Sequence, residues 1–255
     1  MKNRITNLIF RIWYKYISSI DKNADVIFMN YGYSKDNHKI ELDENDEKHR
    51  YSAQLYDFVA TQINIEGKDI LEVGCGRGGG LSYISRYKMP NSSTGIDLNK
   101  RAIEFCKSYY SNENINFLQA NAQSLKFQEN EFDVVINIES SHRYNHMNVF
   151  LDEVYRVLKP GGVFLFADFR HVDEIDKLNK QLESSYLKSV KVEKITKNVL
   201  EALKLSTNER VDLIKKIAPK LLHGLGKKFA ATEGTPVYDK FLNGEFEYFL
   251  YILMK

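Results

Sequence analysis

The 255-residue sequence predicts an α/β domain, a mostly parallel sheet with helices packed on both faces. Three observations point there. From Lys68 onward, short β-branched and apolar runs alternate with amphipathic stretches, the rhythm of parallel strands joined by crossover helices. A glycine-rich turn, Gly74-Cys75-Gly76-Arg77-Gly78-Gly79-Gly80, follows the first of those runs and opens a helix. The composition, 43% hydrophobic and 27% charged, supplies a core and excludes a disordered chain.

In chain order, Ile5, Leu8, Ile9, Ile12, Trp13, Tyr16 and Ile17 recur at helical spacing, with Arg4, Arg11 and Lys15 largely off the stripe. Residues 1–20 therefore read as an amphipathic helix. Packing over the domain as part of a lid is the favoured role, and peripheral contact with an anionic membrane is the alternative. Arg11 and Lys15 interrupt the apolar stretch, which makes a poor signal peptide. No run approaches the roughly 20 apolar residues of a membrane span.

Residues 28–33 (Phe-Met-Asn-Tyr-Gly-Tyr) are irregular, 34–47 form a polar loop, and a helix is expected over 47–63. Strands follow at Asp69–Val73, 93–97, Ile115–Gln119, Phe132–Ile138 and 163–168, with helices at 79–87, 100–110 and 148–158 between them. Leu158-Lys159-Pro160-Gly161-Gly162 reads as a stop and turn, since proline cannot extend the helix and glycine allows reversal. A helix at Val172–Glu183 leads to a strand at 187–195. Two helices, Thr196–Leu205 and 206–218, come next, Ser206 and Glu209 suggesting a capping box for the second. Beyond glycines 224 and 226 and Thr235-Pro236, a last strand is expected at Phe246–Met254. This divides the chain into a lid (1–63), a core (64–195), a helical insertion (196–244) and a final core strand (245–255).

The glycine turn alone fits more than one nucleoside cofactor, because Gly74, Gly76 and Gly79 also satisfy the dinucleotide spacing. Its surroundings narrow the choice. Glu72 precedes it, and Asp97 ends the next strand roughly twenty residues on, where a carboxylate can accept from both ribose hydroxyls. Leu98 adjoins Asp97, Asn121-Ala122 follow the third strand, and Asn137 sits near the end of the fourth.

This ordered set, closed by Leu158-Lys159-Pro160-Gly161-Gly162, resembles the class I S-adenosylmethionine-dependent methyltransferases. The resemblance implies a Rossmann-like, seven-stranded, mostly parallel sheet with an antiparallel last strand. It implies S-adenosyl-L-methionine as cofactor, with Gly74, Gly76 and Gly78 around the methionine part, Asp97 on the ribose and Asn121 with Ala122 at the adenine. Glu72, Leu98 and Asn137 complete the expected cofactor set. The family usually has Asp where this chain has Asn121, a residue that still hydrogen-bonds there. Residues 28–33, 72–80, 139–144, 167–170 and Gly234-Thr235 are similar to those of the phthiotriol and phenolphthiotriol dimycocerosate methyltransferases, with fatty-acid O-methyltransferases as more distant relatives. That similarity implies O-methylation of a small or lipid-like acceptor.

Methyl transfer to an alcohol needs an aligned acceptor and a base. His142, in Glu139-Ser140-Ser141-His142-Arg143-Tyr144 at the exit of the fourth strand, is the expected base, with Glu139 orienting it or binding the cofactor. Asp168 and His171 are secondary acid/base candidates, and Tyr31 and Tyr33 are candidate lid residues over a sulfonium. No tight metal-ligand pattern occurs, so none is expected. Basic and acidic residues nearly balance, 36 against 34, which argues against nucleic acid as a partner. Two cysteines without metal or disulfide spacing point to a reduced cytoplasmic setting.

Overall fold

One seven-stranded sheet of order β3-β2-β1-β4-β5-β7-β6 organises the protein. Its strands are β1 (Asp69–Val73), β2 (Ser92–Asp97), β3 (Ile115–Gln119), β4 (Phe132–Ile138), β5 (Leu158–His171), β6 (Lys188–Lys194) and β7 (Phe246–Met254). The computed structural model describes Tyr16, Ile17, Ile20, Asp21, residues 23–36 and residues 38–255. Most of the expected N-terminal helix therefore lies outside the described residues.

β1 to β5 run parallel, while β7 pairs antiparallel with both β5 and β6, as the resemblance implied. The strand order reverses between β1 and β4, so the crevice at their carboxyl ends is the ligand position of an open α/β sheet. β6, with Lys188, Lys191 and Lys194, forms an edge that charge protects from further pairing.

The helices are α1 (Arg50–Ala60), α2 (Gly79–Lys88), α3 (Lys100–Tyr109), α4 (Met147–Val157), α5 (Val172–Glu183), α6 (Thr196–Leu205), α7 (Thr207–Ile217), α8 (His223–Phe229) and α9 (Pro236–Leu242). Alternation along the strands sorts their side chains into two cores. Ile70, Val134, Ile136 and Leu250 pack with Leu55 and Val59 of α1, Leu81 and Ile84 of α2 and Val199 of α6. Leu71, Val135, Phe164 and Leu253 pack with Phe150, Leu151 and Val154 of α4 and Leu178 of α5. A smaller cluster joins Ile17, the described end of the N-terminal stripe, to Ile214 and Ala218 of the insertion.

Several expectations change. The helix expected over 47–63 is a 3₁₀ turn at Glu47–His49 followed by α1, which stops at Ala60. β5 starts at Leu158, straight after α4, and Pro160-Gly161-Gly162 are absorbed as an irregularity in the β4–β5 ladder. The capping box at Ser206 does not form. Its Oγ donates instead to the Ala202 carbonyl at 2.7 Å and accepts from Arg210 at 2.8 Å. Two short helices, α8 and α9, occupy the stretch around Gly224 and Thr235. Thr235 caps α9, and Pro236 sits in its first turn, where a missing N–H costs nothing.

Candidate active site

The glycine turn leaves β1 and enters α2, and neighbouring side chains have grown into the space its missing Cβ atoms leave. Gly74 has φ +83°, and a Cβ there would lie 2.1 Å from Ser140 Oγ. A Cβ on Gly80 would sit 1.9 Å from the ring of Tyr56. The turn is thus clamped between the β4 exit and α1. Asp97 closes it from β2, accepting from the Gly76 N–H at 3.1 Å through one carboxylate oxygen and from the Asn99 N–H at 2.7 Å through the other. Burial raises the Asp97 carboxyl to about 6.

Beneath the turn, Glu72 is fully buried. Its Oε1 accepts from the Tyr56 hydroxyl at 2.7 Å, Oε2 has no partner, and burial pushes its pKa up to about 7. Asn137, equally buried, donates to the Val73 carbonyl at 2.7 Å and to the Tyr144 hydroxyl at 3.1 Å, and its Oδ1 is unsatisfied. Two orphaned acceptors beside a turn that admits no Cβ suit a ligand bringing hydrogen-bond donors, as the ammonium of S-adenosylmethionine would. Leu98, 62% exposed, stands beside Asp97 as an uncovered apolar surface. Asn121 is exposed and accepts from the Gln123 N–H at 3.0 Å, whereas Ala122 packs into the second core. The residues present fit the cofactor.

Across the crevice, β4 and β5 bring together residues 26 positions apart. His142 Nδ1 lies 2.8 Å from Asp168 Oδ1, and the His142 N–H donates to Asp168 Oδ2 at 2.9 Å. Ser141 Oγ donates to the same Oδ2 at 2.7 Å, and Arg170 pairs with it at 3.0 Å. Burial alone would raise the Asp168 carboxyl. Hydrogen bonds from His142 and Ser141 and the charge of Arg170 outweigh it and hold the group well below the usual carboxylate range. An ionised Asp168 requires the proton of a neutral imidazole on Nδ1, leaving the Nε2 lone pair outward, where Arg143 Nε–H meets it at 3.1 Å. Burial lowers the His142 pKa despite the opposing pull of Asp168, so the ring stays neutral.

Glu139 does not touch His142. Left-handed at φ +47°, it turns back so that Oε1 accepts from the Tyr31 N–H at 2.8 Å and the Tyr248 hydroxyl at 3.2 Å. Burial raises its pKa to about 8. Tyr31 belongs to an extended strap that crosses the glycine turn. Ile27 accepts from the Gly79 N–H at 3.2 Å, and the buried Arg77 donates to the Val26 carbonyl at 2.7 Å and pairs with Asp21 at 3.0 Å. The ring of Tyr31 packs on Phe169, which packs on His142, at 5.4 and 4.5 Å between centroids.

The structure therefore gathers His142, Asp168, Glu139 and Tyr31 at one place. Tyr33 is elsewhere, stacked on Phe58 at 4.2 Å, and His171 accepts from the Asp173 N–H at 3.4 Å as the cap of α5. Ser141, Arg143, Arg170 and the strap-holding Arg77 are additions that no spacing in the sequence marked. Among the described residues, no group of three or more His, Cys, Asp or Glu could hold a metal ion, and no helix is long and apolar enough to cross a membrane.

Comparison with known proteins identifies the family. Residues 71–166 match the model of a methyltransferase domain. A fatty-acid O-methyltransferase of Mycolicibacterium smegmatis is 38% identical, the match covering 96% of this chain and 89% of that protein. A phthiotriol/phenolphthiotriol dimycocerosates methyltransferase of Mycobacterium tuberculosis is 36% identical, covering 97% and 92%. The fatty-acid enzyme, expected to be the more distant relative, is the more similar of these two. The cyclopropane synthase MmaA2 of Mycobacterium tuberculosis shares the fold, with a TM-score of 0.71 at 13% identity over 93% of this chain and 95% of that one. Identity above a third across nearly the full length makes this chain a member of that family of S-adenosylmethionine-dependent O-methyltransferases.

Proposed function

We propose that the protein methylates a hydroxyl of a lipid-like acceptor, with His142 as general base and Asp168 as its positioning partner. The single observation behind this reading is the 2.8 Å contact between His142 Nδ1 and Asp168 Oδ1. S-adenosylmethionine supplies a methyl group already activated on a sulfonium. The glycine turn with Glu72, Asp97 and Asn137 would hold its methionine and ribose ends, and Leu98, Asn121 and Ala122 would be the residues for its adenine. The lid, core and insertion boundaries belong to the same reading.

The rest falls to this chain. Asp168 fixes the tautomer, and Nε2 takes the acceptor's proton as the new bond forms. Arg143 hydrogen-bonds that lone pair and so must give way to the hydroxyl. Glu139 acts through the strap, holding Tyr31 over the reacting centre and keeping water out. The names of the two relatives, one acting on fatty acids and one on phthiotriol compounds, share a long apolar body, which supports a lipid-like acceptor. We place the reaction in the cytoplasm, with Cys75 and Cys106 as free thiols. In this reading the N-terminal stripe packs as part of the lid, and membrane contact is the alternative that sedimentation with anionic vesicles checks.

The decisive experiment follows labelled methyl into a panel of hydroxylated long-chain acceptors. Transfer should be lost in H142A while S-adenosylhomocysteine still binds. Wild-type turnover in H142A would remove the base.

A further inference from the structure

A second cavity, of 360 Å³, lies between the strap and the insertion. Its lining contains neither the glycine turn nor Asp97, and the volume is in the range of small-molecule sites. Phe28 and Met29 of the strap face Leu213, Ile214 and Ile217 of α7 across it, a wall suited to an alkyl chain. Exposed Lys39, Glu47, Lys48 and Glu209 form a rim of mixed charge.

One cation on the wall is unlike the rim. Arg210 is half-buried, and every hydrogen-bond acceptor it reaches is neutral: Ser206 Oγ at 2.8 Å, the Ala230 and Asn30 carbonyls each at 3.2 Å, and the Tyr31 carbonyl at 2.9 Å. Those contacts use four of the donors of a guanidinium and leave a single Nη1 hydrogen for something else. Among the described residues no carboxylate forms an ion pair with it. On the same wall, Asp25 is taken by Lys216 at 2.7 Å and Glu47 by Arg50. Glu139 and Glu209 act on the guanidinium through space, but neither is hydrogen-bonded to it, and Glu139 spends Oε1 on Tyr31 and Tyr248. A withdrawn guanidinium with no carboxylate hydrogen-bonded to it is costly unless a ligand brings one, and a carboxylate is its best-matched partner.

We propose that this cavity seats an acidic amphiphile, a long-chain carboxylate whose headgroup pairs with Arg210 and whose chain lies on Phe28, Met29 and the apolar face of α7. The inference rests on the lipid-acceptor reading and sharpens it. Tyr31, whose carbonyl Arg210 holds, is the residue whose ring leads through Phe169 to His142. An acceptor anchored by its carboxylate at Arg210 keeps that group off the base, since neither His142 nor Asp168 lines the cavity, and leaves a hydroxyl farther along the chain as the group to be methylated. The product is an ether, not a methyl ester.

The test uses the full-length protein and calorimetric titration with dodecanoate and with dodecanol as probes. Wild type should bind dodecanoate at least about tenfold more tightly than dodecanol. R210Q should erase that preference, weakening dodecanoate by about tenfold and leaving dodecanol unchanged, and R210K should keep most of it. Undiminished dodecanoate binding in R210Q, or equal affinity for the two probes in wild type, would overturn the assignment. S-adenosylhomocysteine binding reports whether each variant is folded. Should R210Q fail that control, the wild-type comparison decides, together with L213W, which must weaken dodecanoate by filling the cavity. Methyl transfer that depends on His142 without any preference for the acid would sink this inference and spare the proposed function.

Discussion

His142 owes its chemistry to a neighbour. With Asp168 ionised at Nδ1 and burial lowering the ring's pKa, the base is neutral and correctly tautomeric at physiological pH. H142A should lower kcat by roughly 10²–10⁴-fold, the range for losing a general base, with cofactor affinity retained in calorimetry. In wild type, kcat should rise as the ring loses its proton and level off, with a midpoint below about 6.5, the ordinary imidazole value. A rate independent of pH through that window would contradict a histidine base. Glu139 carries a different sign. Its carboxyl ionises near about 4.3 in the unfolded chain but only at about 8 when folded. Between those values the folded state binds more proton, so stability falls as pH rises. E139Q should not share that fall, and urea midpoints at pH 5 and 8, roughly the ends of the window, should show its advantage growing with pH. At this scale the sequence marked His142 through its place at a strand exit. It offered Asp168 only as a separate candidate, because the pairing arises from the β4–β5 register, where Ile138 sits beside Ala167.

The element that governs the cofactor side is the turn between β1 and α2. At Gly74 a methyl group meets Ser140 Oγ at 2.1 Å in a left-handed backbone. At Gly80 it meets the Tyr56 ring at 1.9 Å, the ring whose hydroxyl donates to Glu72 Oε1. G80A should cost about 1–3 kcal/mol of stability by overpacking, read from denaturant midpoints. G74A should in addition weaken S-adenosylhomocysteine binding, because Ser140 must move into the crevice. A variant of Gly74 that binds like wild type would show that the close approach is not needed. Strands and most helices were legible in the sequence, since their periods are local properties. The ends were less so. Ser206 had the composition of a cap, yet an i−4 carbonyl and Arg210 claimed its hydroxyl. α8 and α9 were missed because glycines and a proline read as loop, while α8 packs Leu225 and Phe229 with Val26 of the strap and α9 packs Phe241 against Tyr31 and the sheet core.

For the whole molecule, the strap decides how lid, core and insertion act together. Arg77 reaches out of the glycine turn to a fully buried pair with Asp21, whose carboxylate also accepts from the Asp25 and Val26 N–H groups at 3.0 and 2.8 Å. D21A leaves a buried guanidinium short of its counter-charge and should cost about 3–5 kcal/mol, measured by thermal or urea unfolding. Cleavage within residues 23–36 by limited proteolysis should accelerate in parallel. A loss under about 1 kcal/mol would mean that the pair is solvated and holds nothing.

By itself the sequence determined the alternation of strands and helices, the glycine turn, the acidic end of β2 and the histidine at the β4 exit. Each is written in neighbouring residues, in periodicity and in backbone freedom. Tertiary structure alone decided which carboxylate serves His142, that Glu139 holds the strap, that Tyr33 packs away from the site, and that Arg210 lines a cavity with no carboxylate hydrogen-bonded to it. Those facts depend on strand register and on segments up to 180 residues apart meeting in space, and no local pattern records such a distance.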